Sequence, residues 1–196
     1  MTTSTDGRRL RRERNQQAVI DAVLEMFAED ELVPTIEKVS ERTGLSLRTL
    51  YRYFPEPKAL TEAAIETMMA RGAALGHLDD IGIGPFDARA MAFASMRVRL
   101  HDQIGSCFRA TRHHAPNQPA IAESLERTRH NMTAQLHRQF AREIAALPAA
   151  VRAARTTAAD VVCQLDSIDV LRGHHGLSVE DTIEVLRQAL DNNLVV

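Results

Sequence analysis

An all-α fold is predicted by three features of the 196-residue sequence. Apolar residues recur at i, i+3 and i+4 through most of the chain, the period of helices with one buried face. Thr, Ser or Asp residues stand where those stretches begin, and Gly or Pro where they end, as capping and helix breaking require. No segment reads as a strand, and no internal repeat is present.

Taken in order, residues 15–29 place Ala18, Val19, Ala22, Val23, Met26 and Phe27 on one helical face. Pro34 disfavours helix before it, and Thr35 is suited to cap a short helix with Ile36 and Val39 inward, which Gly44 ends. Ser46 caps the next short helix, whose inward residues are Leu47 or Leu50, and Phe54. Pro55 ends that helix and Pro57 opens a longer one to about Leu75, with Leu60, Ala64, Ile65 and Met68 inward. The stretch "GHLDDIGIGPF" at 76–86 reads as a turn between subdomains. Beyond it the pattern predicts a helix from Asp87 to about His101 and another over 103–113. A long helix is expected from Pro119 to Leu147, one from Pro148 to about Leu171, and a last one capped by Ser178. The total is about nine helices.

Composition bounds the function. No run approaches the roughly 18 apolar residues of a membrane span, and the arginine-rich N-terminus lacks a secretory apolar core, so a cytoplasmic protein with no membrane partner is expected. Only two of the 24 basic residues are lysines, which with the abundant alanine points to a GC-rich bacterial genome. Cys107 and Cys163 sit in apolar helical patterns and read as reduced core residues. The eight histidines include the adjacent pairs His113–His114 and His174–His175, which do not share a helical face, so neither a metal nor a cofactor is expected. No HExxH, GxSxG, Walker or GxGxxG motif marks an enzyme.

The chemistry concentrates in the first sixty residues. Two short helices joined by a tight Gly turn make a helix-turn-helix unit, whose second helix enters the major groove of DNA. In "LSLRTLYRYF", Arg48 is able to bind guanine bidentately and Thr49 to touch a base or phosphate oxygen. Ser46 brings a hydroxyl and the helix N–H groups toward a phosphate. Tyr51 and Tyr53 offer apolar bodies for packing and hydroxyls for the DNA backbone. Around them, residues 42–58 carry Arg42, Arg48, Arg52 and Lys58 against Glu56, and residues 8–14 carry Arg8, Arg9, Arg11, Arg12 and Arg14 against one Glu. These are local basic patches on a chain of net charge −2.

The segment "VIDAVLEMFAEDELVPTIEKVSERTGLSLRTLYRYFPEPKAL" resembles the DNA-binding domain of tetracycline-repressor-like (TetR-family) regulators. The match rests on a helix ending in Phe27, the capping Thr35, the run "TGLSLRTLYRYF", and Leu60 six residues past Phe54; it spans roughly residues 15–62. The resemblance implies a basic N-terminal arm over 1–14, a DNA-binding domain over 15–56, and an effector-binding and dimerisation domain over 57–196. It implies a homodimer through the last two helices, bound to a double-stranded operator and most simply a repressor released by a small apolar effector. Thr35 then matches the phosphate-contacting cap, and Leu47, Arg48, Thr49 and Tyr53 match the base- and phosphate-facing positions. The arginines at 8–14 match arms that enter a minor groove in some members. Candidate effector-lining residues are Met68, Phe93, Met96, His101, Phe108 and Met132. Other readings are a helical interaction protein with a degenerate DNA-binding unit, or an all-α enzyme.

Two positions depart from the family pattern. "AEDEL" puts acids where a Gly often follows the first helix, opposing the helix dipole, so either that helix ends early or Asp30 takes the left-handed turn. Pro57 stands where a phosphate-binding lysine is common, with Lys58 one residue later.

Overall fold

The computed structural model describes the backbone of residues 3–195 and the side chains from Arg9 onward. Arg8 therefore falls outside the described side chains. Among the described residues the chain is all helical, with α1 (Thr3–Ala28), α2 (Ile36–Thr43), α3 (Leu47–Tyr53), α4 (Pro57–Leu75), α5 (Phe86–His114), α6 (Pro119–Gln139), α7 (Ala141–Ala146), α8 (Ala149–Val162), α9 (Leu165–Gly173) and α10 (Val179–Leu194). A 3-10 turn, Ala115–Asn117, precedes α6. No described helix is long and apolar enough to cross a membrane.

The expected arm and first helix form one element. Arginine is a good helix former, and Arg9 pairs with Glu13 one turn on, at 2.9 Å. Three other predicted boundaries move. The helices expected over 87–101 and 103–113 are a single α5, in which Gly105 leaves room for the His101 ring, 3.1 Å from where a Cβ would stand. The helix expected over 119–147 breaks at Phe140, whose backbone leaves helical geometry at φ −118°, ψ 28°. The helix expected over 148–171 breaks at Gln164, which is extended and turns its side chain onto Asp160 at 2.9 Å.

Two compact units result. The first comprises the chain to Ala70 together with Ser106–Ser124, and the second comprises Arg71–Gly105 with the chain from Leu125 on. The division falls inside helices because side chains of α4 and α5 complete the first core: Leu60, Ala64, Ile65, Cys107 and Ala110 bury against Val19, Val23, Met26 and Phe27 of α1. Of the stripe predicted on α1, Ala18 alone is exposed.

The second unit is organised by the break at Phe140. Arg89, buried on α5, donates to the Gln139 carbonyl that the break frees and to both oxygens of Glu143. It also reaches the Gly84 carbonyl at 3.1 Å. The Phe140 ring packs at 5.7 Å from Phe86 and edge-on at 5.4 Å from Phe93. Burial is the largest single influence and raises the Glu143 carboxyl, but the hydrogen bonds from Arg89, a bond from its own backbone and the charges of Arg89 and Arg142 together outweigh it and hold the group below its usual range. A depressed carboxylate stabilises the fold above its unfolded value of about 4.3, and this contribution is lost as the pH falls through the folded value. Removing the charge with Glu143→Gln leaves Arg89 short of its partner and should cost about 3–5 kcal/mol at neutral pH by urea denaturation. An unchanged midpoint would show that the pair is not a supporting element.

Candidate nucleic-acid interface

The reading head is built from two capped helices held by hydroxyls. Thr35 caps α2 by accepting from the Lys38 N–H at 3.4 Å. Gly44 closes α2 in the left-handed region at φ 67°, donating to the Ser40 carbonyl at 2.9 Å. In the turn, the Ser40 hydroxyl donates to the Leu45 carbonyl at 2.6 Å and Thr43 donates to the Val39 carbonyl at 2.7 Å. Ser46 caps α3 by accepting from the Thr49 N–H at 3.3 Å, and its Oγ lies 3.0 Å from Thr49 Oγ1. Leu50 and Phe54 are buried beneath α3, so of the two inward alternatives Leu50 is the anchor and Leu47 is exposed. Phe54, extended before Pro55, ends the helix.

This anchoring turns Ser46, Leu47, Arg48, Tyr51 and Arg52 outward, with Thr49 half-buried. Arg48 is exposed and has no hydrogen-bond or ion-pair partner among the described residues, which leaves its guanidinium open to an outside ligand. Several neighbouring cations are already paired. Arg42 forks onto Glu29 at 2.7 and 2.9 Å. Lys38 meets Glu31 at 2.7 Å, and Lys58 meets Glu56 at 2.9 Å. The Lys58 ammonium is raised above its usual range by its hydrogen bond to Glu56. Those partners subtract Arg42 and Lys58 from the basic patch that the sequence suggests, and engage Lys38 beside it.

The acids after α1 resolve the first departure from the family pattern. Asp30 takes the left-handed turn, at φ 62°. Each acid then meets a cation brought by another helix or its cap: Glu29 meets Arg42, Asp30 meets Arg109 of α5 at 2.6 Å, and Glu31 meets Lys38. The unfavourable dipole interaction is offset, and α1, α2 and the end of α5 are tied at one point.

Tyr53 packs as expected and adds a contact within the unit. Its ring packs against the core of the unit and its hydroxyl receives a hydrogen bond from Asn15 of α1 at 3.4 Å. That bond is the main cause of a phenol held below its usual range. The Arg12 and Arg52 guanidinium carbons lie 5.9 and 5.3 Å from the ring centroid. Asn15 was not visible as a site residue in the sequence; its only signal is a polar side chain beside the apolar stripe of α1. Arg52, one turn beyond Arg48 on the same outer face, carries the signal of i, i+4 spacing.

The candidate effector-lining residues divide between the two units. Met68 packs against the core of the first unit, where Phe108 is also buried, whereas Phe93, Met96, His101 and Met132 belong to the second. His101 points Nε2 toward Asp169 of α9 at 3.4 Å. Among the described residues no three His, Cys, Asp or Glu side chains gather as a metal site.

Helix-turn-helix geometry of this kind belongs to DNA-binding proteins. The chain aligns with a TetR-family transcriptional regulator from Streptomyces coelicolor at TM-score 0.68, with 19% identity over 92% of this chain and 78% of that one. A protein assigned as a transcriptional regulator from Pseudomonas aeruginosa PAO1 aligns equally well, at 0.68 with 16% identity over 92% of this chain and 90% of that one. A third, from Saccharomonospora viridis and also assigned as a transcriptional regulator, was solved with choline; it aligns at 0.68 with 16% identity over 94% of this chain and 99% of that one. No protein-family model and no curated protein sequence matches the chain. The chain has the fold of TetR-family transcriptional regulators.

Replacing Tyr53 by Phe keeps the ring and removes the bond from Asn15. Thermal or urea unfolding should register a loss of at most about 1 kcal/mol. A larger loss would mean that the hydroxyl, and not the ring, holds α1 to α3.

Proposed function

We propose that this chain is a cytoplasmic, sequence-specific DNA-binding transcriptional regulator, a repressor released from a double-stranded operator by a small molecule. The observation that carries the reading is the exposed, unpaired Arg48 on a recognition helix whose reverse face is locked by Leu50 and Phe54. Arg48 and Thr49 read base edges; Thr35, Ser46, Leu47, Tyr51 and Arg52 meet phosphate, sugar or base surface. Arg9, Arg11 and Arg12, carried by the N-terminal half of α1, are the basic arm in this reading, with Arg8 beside them in sequence. Lys58 contributes by exchanging Glu56 for a phosphate, and Tyr53 acts mainly as the post that positions Arg12 and Arg52.

The protein acts as a homodimer through its last helices. The outer face of α8 exposes Ala150, Val151, Ala154, Ala158 and Val161, an apolar strip of the kind a helix buries against a partner. Its opposite side pairs with α10, where Arg155 caps the C-terminus through the Asn192 and Val195 carbonyls, each at 2.7 Å. A two-fold dimer spaces its recognition helices about 34–36 Å apart, or slightly more, over a near-palindromic site. The choline complex of the Saccharomonospora protein supports a small-molecule role for this fold, and Phe93, Met96, His101 and Met132 of the second unit are the residues proposed to line the effector site. An effector that prefers one protomer geometry weakens operator binding by differential affinity for two states.

Arg48→Ala should weaken operator binding by about 1–3 kcal/mol and relax base preference, measured by titration against operator and random duplexes. Equal losses on both duplexes would assign Arg48 to phosphate alone. Light scattering at micromolar concentration should give the mass of two chains; a monomer would remove the dimer and its spacing.

A further inference from the structure

Helices α6, α7 and α8 of the second unit line a groove of about 440 Å³ whose walls are chemically uneven. Thr133 and His137 come from α6 and Ile144 from α7, while α8 supplies the rest, from Ala149 to Asp160. These α8 positions form one helical face. The exposed strip of Ala150, Val151, Ala154, Ala158 and Val161 is a second, and Arg155 turns to α10 on a third. None of Phe93, Met96, His101 and Met132 lines the groove, so it is separate from the effector site proposed above.

Its two ends differ. At one stands Asp160, the only carboxylate in the lining. It is half-buried and accepts only from neutral donors, the Thr133 hydroxyl at 2.7 Å on Oδ2 and the Gln164 amide at 2.9 Å on Oδ1. It steadies the charge of buried Arg97 from beyond ion-pair distance, and none of the described cations pairs with it. A carboxylate offers about four lone-pair positions, so each oxygen keeps one free. A half-buried charge without a counter-ion gains from a cation that donates hydrogen bonds. One helical turn back lies Thr156, 5% exposed, with a hydroxyl that has no partner. The other end is apolar, made by Ala149 and Ala153 with Ile144. The cation at that end, Arg152, is exposed and donates to the Ala145 and Leu147 carbonyls. At about 1.5 Å per residue, Asp160 stands roughly 10 Å along the helix from Ala153.

We propose that this groove binds a primary alkylamine, its ammonium on Asp160 and its hydrocarbon chain along Ala153 and Ala149 to Ile144. An ammonium suits the Asp160 end because it donates to an acceptor-only carboxylate and to a hydroxyl oxygen alike. A carboxylate ligand would meet Asp160 as a like charge, and an alcohol would leave that charge without a counter-ion. A second ammonium at the far end would meet Arg152, so the groove takes a monoamine in preference to a diamine. The inference stands apart from the regulator reading, because it needs no DNA.

The test measures the unfolding temperature of the full-length protein with hexylamine, and with hexanol, hexanoate and 1,6-diaminohexane at matched concentration and ionic strength. Hexylamine at about a hundred times its Kd should raise Tm by about 5 °C, with little or no shift from the other three. Asp160→Asn, which removes the charge and keeps the shape, should lose the hexylamine shift. Asp160 also braces Thr133 and Gln164, so a second variant acts at the opposite end. Ala153→Phe, at an exposed position, fills the apolar part of the groove; it should leave the ligand-free Tm unchanged and abolish the shift. No shift from hexylamine, an equal shift from hexanol, hexanoate or the diamine, or a full shift in Ala153→Phe overturns the proposal. DNA capture by the same preparation is scored separately: its failure counts against the regulator reading and leaves the amine result standing.

Discussion

Burial of Leu50 and Phe54 beneath α3 is the constraint on which the rest of the first unit depends. A seven-residue helix has no stability of its own in water, so its pose is set by what it packs against. Leu50 and Phe54 join a core made by Val19, Val23 and Phe27 of α1 and by Leu60 and Ile65 of α4. With that face fixed, helical geometry alone turns Arg48 and Arg52 to the outside. The Ser46 cap and the hydroxyl-braced turn before it add register, so that Thr49 and Arg48 are presented in one orientation.

Charge is then partitioned between holding the unit together and leaving cations for a ligand. The acids Glu29, Asp30 and Glu31 follow a helix C-terminus, where their charge is unfavourable, and each is matched by Arg42, Arg109 or Lys38. These pairs are largely exposed, and their value lies in orientation more than in stability. Their effect on function is subtractive: Arg42 is spent on structure, while Arg48 remains unpaired. A count of basic residues therefore overstates the free positive surface, and the pairing pattern defines it better.

The helical class, both caps of the reading head and the inward face of α1 were legible in the sequence because each follows from local rules of periodicity and hydroxyl placement. The left-handed turn at Asp30 was legible as one of two outcomes. The breaks at Phe140 and Gln164 were not. Nothing local distinguishes those positions; at the first, Arg89, fifty residues earlier, takes the Gln139 carbonyl that the break frees, and the second accompanies the turn of the Gln164 side chain onto Asp160. The same limit hid Asn15, whose role depends on Tyr53 arriving from another helix. Apolar type, shared by five of the six candidate effector-lining residues, does not separate a first-unit core position such as Met68 from a second-unit position such as Phe93.

Whether the exposed face of α3 selects DNA decides if this chain acts as a regulator. Sequencing the fragments of its own genome that the purified protein retains tests this most directly. A small set of near-palindromic sites, depleted when Arg48 is replaced, is the predicted result. Fragments retained in proportion to their length, with no shared sequence, would contradict it.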